Sequence, residues 1–335
     1  MPAFTVFKGS KDGSVVKSTT TKSDELTGDF VRLRVTASGI CGTDLHYLKQ
    51  DMVLGHEGVG IVEETGPDVK FLKKGDRVGW GYETDACGHC LECLKGEEIF
   101  CPERAMYGYA NPDQGSFAEG AVWREAFLHP IPDGVSDVDG APLQCGGATV
   151  FTAVHTAAAT EVIGVMGMGG LGHLAIQFAA KMGCRVVVLS GTDSKKSEAE
   201  RLGAHDFIAM KDKKAEDLQN VGFKLDRLLV TTSAQPDWSL ILPLMATRSK
   251  IYPLSVSEGN FSIPYMPLLA NGITIQGSLV ATRSVHREML AFAALHQIKP
   301  VVETFPMTEA GIKEALEKLE SGKIHFRAVL VPESK

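Results

Sequence analysis

A glycine turn between two apolar segments constrains this chain more than anything else in it. Gly167-Met168-Gly169-Gly170-Leu171-Gly172 ends the apolar run 162–167. It opens a helical pattern in which Leu171, Leu174, Ala175, Phe178, Ala179 and Met182 share one face. Strand, glycine turn and helix form the context that a dinucleotide fingerprint requires. The glycines permit a tight turn and let a pyrophosphate approach the backbone at the positive end of the helix. A glycine-rich turn without a nucleotide is the plainer alternative, and His173 beside it reads equally as packing or as a phosphate contact. Further apolar runs at 185–190, 206–210, 227–232, 250–256 and 273–278 bring the expected strands to six. Alternating with helices, they imply a doubly wound parallel sheet, the Rossmann arrangement of an α/β fold. Pro253 cannot donate to a ladder, so the limits of the fifth strand stay open.

The first 148 residues have a different rhythm. Short β-like runs at 30–37, 59–64 and 76–80 are separated by Gly, Pro, Asp and Lys, which reads as a mainly β domain. Helical stretches at 285–295 and 309–320 and a last strand at 327–331 follow the nucleotide-type region. The expected division is 1–148, 149–276 and a return at 277–335. A net charge of -7 without a basic block argues against nucleic acid as a partner. No apolar stretch of about 18 residues suggests a membrane span, and nothing near Met1 resembles a signal peptide, so the cytoplasm is the expected location.

Seven cysteines, an odd number, do not read as a disulfide framework in such a chain. Four of them, Cys87, Cys90, Cys93 and Cys101, fall within fifteen residues. Two successive CxxC spacings followed by a fourth cysteine suit tetrahedral zinc, and four thiolates leave no open position, so that site would be structural. Reduced surface thiols or a redox pair are the alternatives. His89 inside the loop could compete as a ligand but reads as exposed. A second set is dispersed. Cys41 lies in Gly39-Ile40-Cys41-Gly42-Thr43-Asp44-Leu45-His46, His56 in Gly55-His56-Glu57-Gly58, and Cys145 in Cys145-Gly146-Gly147-Ala148-Thr149. Each alone would read as a core residue, but together with their glycines these three would supply the Cys2His set of a catalytic zinc that keeps one position open.

The GHE motif, the four-cysteine lobe and the later GxGGLG resemble the zinc-dependent medium-chain alcohol dehydrogenases, with the cinnamyl-alcohol-dehydrogenase-like branch the nearest in pattern. The resemblance covers nearly the whole chain. It implies a GroES-like catalytic domain beside the Rossmann domain, two Zn2+ per chain, a homodimer, and an aldehyde or alcohol as the small-molecule substrate. It makes Glu57 a transient neighbour of the catalytic zinc. Asp44 matches the carboxylate that orients the ligand histidine, against a simple turn or cap role. Thr43 and His46 match a proton relay, which the chemistry needs because the alcohol's proton must reach solvent; a surface histidine is the plain reading of His46. Thr149 matches a residue beside the nicotinamide, and Arg327 one that reaches the pyrophosphate. One departure is the interval of fifteen residues from Cys41 to His56, shorter than the family's usual spacing, with the missing length between Tyr47 and Leu54. The approach through 157–161 is trimmed as well.

Counting from Gly172 as the family does, the end of the second strand falls on Gly191, where an NAD enzyme has a carboxylate for the ribose hydroxyls. Ser190, Thr192, Lys195 and Lys196 suit a 2′-phosphate instead, so NADP(H) is the expected cofactor; a solvated helix start is the other reading of the lysines. Asp193 is the contrary feature. Trp80, Tyr82 and Tyr107 are read either as walls of an aromatic substrate cleft or as core. The resemblance implies interconversion of an aldehyde and a primary alcohol. Its competitors are reduction of a conjugated imine or enal, and a non-catalytic member that would have lost zinc ligands.

Overall fold

Strand Phe30–Ile40 organises the first unit, and its sequence explains why. Val31, Leu33 and Val35 alternate inward, after which every residue from Ser38 to Ile40 is buried. The half-buried portion is a surface strand, and the fully buried portion drives into the core. This strand pairs antiparallel with Gly58–Thr65 along one edge, and with Gly120–Arg124 and then Arg327–Val331 along the other. Irregularities at Arg32/Leu33 and Val35/Ala37 bend it between those partners. Arg77–Trp80 and His129–Pro130 extend the seven-stranded sheet on one side, and Val302–Pro306 extends it on the other.

The computed structural model describes residues 3–257 and 259–333. It divides into two compact units, Met1–Ala148 with Val280–Lys335, and Thr149–Leu279. The return to the first unit thus begins three residues later than Gly277, the start expected from the sequence. Within the apolar run 273–278, only Thr274–Ile275 is strand. The first unit's core gathers Leu33, Val62, Trp80, Phe117, Leu128 and Leu330 from the strands and the segments between them.

The second unit is a six-stranded, wholly parallel sheet. Its spatial order is Asp206–Ala209, Arg185–Ser190, Val162–Met166, Leu225–Val230, Met245–Pro253, Thr274–Ile275. The first strand in sequence is therefore central, and the order reverses around it, which is the doubly wound topology. Val186 to Leu189 are all buried, as a strand covered on both faces requires. Pro253 closes its strand opposite Val230, at an end where a missing N–H costs little. Arg227 is buried and fully engaged: Nε and Nη2 meet Glu161, and the guanidinium also reaches Ala153 O, Thr156 O and Thr156 Oγ1. It ties the strand Leu225–Val230 to the segment entering Val162–Met166.

Candidate active site

In the first unit, Cys41 ends the buried strand and precedes helix Gly42–Tyr47. His56 and Glu57 precede the neighbouring strand Gly58–Thr65, and Gly39 N donates to Glu57 O at 2.9 Å across the pair. Two of the motif glycines have specific reasons. A Cβ at Gly39 would stand 1.9 Å from Glu57 Oε2, so the carboxylate fits only beside a residue with no side chain. Gly55 has φ +92°, a left-handed conformation that glycine adopts without strain, and a Cβ there would strike Phe117. Cys145 comes from a separate direction, on the π-helical turn Leu143–Gly147.

The ligand atoms of Cys41, His56, Glu57 and Cys145 lie within 4.8 Å of one another. His56 Nε2 is buried with no hydrogen-bond partner among the described residues. Its other nitrogen, Nδ1, stands 3.0 Å from Asp44 Oδ1. Burial opposes a charge on His56, but Asp44 and the Cys41 thiol outweigh it and hold the ring's proton affinity well above the ordinary value. A hydrogen bond from Cys145 holds the Cys41 thiol well below its usual range despite burial. A buried imidazole nitrogen without a hydrogen-bond partner, set beside two thiols and a carboxylate, is a donor set that fits zinc.

Asp44 makes the contacts that both of the roles left open by the sequence would need. Oδ2 accepts the Cys41 N–H at 2.9 Å, which caps the helix, while Oδ1 faces His56. Tyr107 Oη donates to the same Oδ1 at 3.0 Å and accepts the Gly55 N–H at 2.9 Å. Tyr107 is therefore a buried support of the ligand layer, not a cleft wall, and Trp80 is wholly buried core. Tyr82 alone of the three is partly exposed, its ring edge-on to His56 at 5.6 Å. Thr43 is half-buried, 3.6 Å from Cys41 Sγ, and His46 lies exposed one turn further on.

Arg327, expected at the pyrophosphate, contacts both carboxylate oxygens of Glu57 through Nη2, and its side chain is buried in the first unit. The reason is register: Ala328 pairs with Ile40, which brings Arg327 alongside the strand end that delivers the ligands. Neither Tyr107 nor this pairing has a local sequence signal, because each joins residues far apart in the chain.

The four-cysteine lobe also closes on itself. The sulfurs of Cys87, Cys90, Cys93 and Cys101 lie within 4.8 Å of one another. Cys90 N donates to Cys87 Sγ and Glu103 N to Cys101 Sγ, both at 3.3 Å. Backbone donors at His89 and Cys90 draw the Cys87 thiol down to about 6, a thiolate at neutral pH. His89 is exposed.

In the second unit the glycine turn lies between strand Val162–Met166 and helix Gly172–Lys181. A Cβ at Gly172 would stand 2.0 Å from Gly167 O, which shows how closely the helix start packs on the strand end. Around Gly169 the space is open. His173 is buried with Nδ1 on Gly169 O, a packing role. Thr231, missed by sequence reasoning, braces the turn through Oγ1 to Met166 O and Gly167 O. At the second strand's end, a Cβ on Gly191 would meet nothing within 4 Å. Thr192 and Ser194 hydroxyls pair at 2.9 Å, Lys195 Nζ donates to Met168 O at 2.9 Å, and Lys196 is 4.0 Å from Glu200. Thr149 is buried at the start of the second unit, in helix Ala148–Val154.

A mainly β unit with two cysteine-rich donor sets, together with a doubly wound unit carrying a dinucleotide turn, defines the class of a two-domain zinc-binding dehydrogenase. Residues 28–133 match the alcohol dehydrogenase GroES-like domain and residues 170–294 the zinc-binding dehydrogenase domain. An alcohol dehydrogenase of Geobacillus stearothermophilus is 34% identical over 313 residues, covering 90% of this chain and 91% of that one. Cinnamyl alcohol dehydrogenase 8 of Arabidopsis thaliana is 32% identical over 337 residues, covering 96% and 93%. A solved cinnamyl alcohol dehydrogenase of Sorghum bicolor superposes with a TM-score of 0.90 at 28% identity, covering 98% of both chains. The chain belongs to the medium-chain alcohol dehydrogenase family, and cinnamyl alcohol dehydrogenases are among its relatives.

Proposed function

We propose that the protein is a zinc-dependent, NADP(H)-linked oxidoreductase that interconverts an aldehyde and a primary alcohol. The observation that carries this reading is the clustered Cys41, His56 and Cys145 donor set, with His56 and Cys145 buried and Thr43 and His46 leading from it to the surface. Held there, zinc would supply a Lewis acid for the carbonyl oxygen, and NADPH a hydride for its carbon. The chain's own residues do the remainder. Asp44 fixes the tautomer of His56 so that Nε2 is the free ligand atom. Arg327 neutralises Glu57, which keeps an uncompensated carboxylate from the site. Thr43 passes a proton between substrate oxygen and His46, and His46 exchanges it with solvent. The second site, Cys87, Cys90, Cys93 and Cys101, holds a structural zinc.

The relay separates carbonyl chemistry from reduction of a conjugated double bond. With a panel of aldehydes and NADPH oxidation as the readout, wild-type protein is expected to turn over. Thr43→Ala and His46→Ala are each expected to slow it by roughly 10²-fold at neutral pH. Reduction of enals at the carbon–carbon bond, with both variants fully active, would refute the reading.

The assembly we propose is a homodimer through the second unit. Thr274–Ile275 is an exposed edge strand, and in the preceding helix Tyr265, Met266 and Leu269 are 82%, 69% and 71% exposed. Such an edge pairs readily with its own copy. Sedimentation is expected to show a dimer for the wild type and a monomer for Ile275→Pro; an unchanged dimer would place the interface elsewhere. A cytoplasmic location is part of the same proposal; it fits seven free cysteines.

A further inference from the structure

The turn that carries Cys145 is gripped from two sides within the first unit. Leu143–Gly147 is π-helical with all five residues buried, a geometry uncommon unless neighbours enforce it. Gln144 is 0% exposed and uses both ends of its amide. Nε2 donates to Gly140 O at 2.9 Å, and Oε1 faces His286 Nε2 at 3.0 Å. An amide oxygen only accepts, so His286 carries its proton on Nε2. His286 lies in helix Arg283–His296 and stacks on His129 with ring centroids 3.9 Å apart and planes at 17°, which fixes the orientation of its ring. Met289, on the next turn of that helix, closes on Gly147: a Cβ there would be 3.3 Å from the sulfur.

The opposite side is as tight. A Cβ on Gly79 would stand 2.3 Å from Gln144 Cδ, and one on Gly81 would stand 2.6 Å from Gln144 O. The amide therefore lies flat against a segment that has given up its side chains there. Its Oε1 looks away from its own helical segment, toward His286.

We propose that Gln144 and His286 are positioning residues for Cys145, a hydrogen-bonded pair that holds the π turn so that the thiolate stays on the catalytic zinc. The inference rests on the zinc reading above. Neither residue touches the substrate; each acts through the turn, as groups behind a ligand do when they set its orientation.

The test measures zinc release from the holoenzyme to a chromogenic chelator. Wild type is expected to release two ions in two phases, one of which disappears in Cys145→Ser. Gln144→Met and His286→Leu are each expected to speed that phase about 10-fold or more, with the other phase unchanged. The double variant is expected to release no faster than the faster single variant, and His286→Gln, which restores an N–H donor, to return most of the way to wild type. If His286→Leu does not fold, Gln144→Met against wild type decides alone. Wild-type release rates in the folded variants, or effects that multiply in the double variant, would overturn the pairing. Fewer than two zinc ions in the wild type would instead overturn the zinc reading itself.

Discussion

Cys41→Ser is expected to yield a folded protein with one zinc and almost no activity, whereas Cys93→Ser is expected not to fold stably. The difference follows from what surrounds each sulfur. Cys41 sits at the end of a buried strand, in a layer already joined by Asp44, His56 and Tyr107. Losing the proposed zinc would remove a Lewis acid worth several kcal/mol, or about 10³-fold in rate, but leave that packing in place. The four-cysteine lobe packs less: Ile99 and Cys101 are buried, but its other apolar side chains are not. Leu91, Leu94 and Phe100 are 64%, 73% and 46% exposed, and its helix Leu91–Leu94 is a single turn. With the proposed zinc bound there, its binding would be folding free energy, of order 10 kcal/mol for closed thiolate sites. Elemental analysis, thermal melts followed by circular dichroism and an aldehyde assay read all three quantities. Variants that behave alike would erase the structural and catalytic division, and a wild-type protein with one zinc would remove one of the sites.

NADPH is expected to be preferred over NADH by roughly ten- to a hundredfold in kcat/KM, the scale of one charge-assisted hydrogen bond of about 1.5–3 kcal/mol. Gly191 is the reason. A carboxylate at this strand end would accept from the ribose hydroxyls and repel a 2′-phosphate. The open space around its Cα means that Gly191→Asp adds a charge without a clash, so this variant is expected to flatten or reverse the preference. The two lysines are not equivalent. Lys196 is held loosely, by Glu200 at 4.0 Å, and Lys196→Ala is expected to weaken NADPH alone. Lys195 donates to Met168 O in the glycine turn expected to serve both cofactors, so Lys195→Ala is expected to weaken NADH as well, though less. A wild-type enzyme that favours NADH would mean that Asp193 reaches the ribose.

Much of this architecture is legible from residue order. Strand Arg185–Ser190, helix Glu309–Glu320 and strand Arg327–Val331 have the bounds that their apolar patterns suggest. The patterns are local, and burial on one or both faces leaves a period in the sequence. Element ends were less legible. The expected strand at 250–256 runs Met245–Pro253, because pairing with Leu225–Val230 sets its limits where side-chain pattern does not.

The donor sets show the same boundary at the scale of chemistry. The sulfurs of Cys87, Cys90, Cys93 and Cys101 converge because one short loop carries all four, so spacing alone carries the geometry. The strand–turn–helix at Gly167–Gly172 is legible for the same reason. Tertiary structure alone decided that Arg327 belongs to Glu57, that Tyr107 supports Asp44, and that His286 reaches Gln144 across 142 residues of chain. Those contacts depend on strand register and helix docking. A buried side chain's partner is whatever the fold brings within about 3 Å, and no local pattern encodes it.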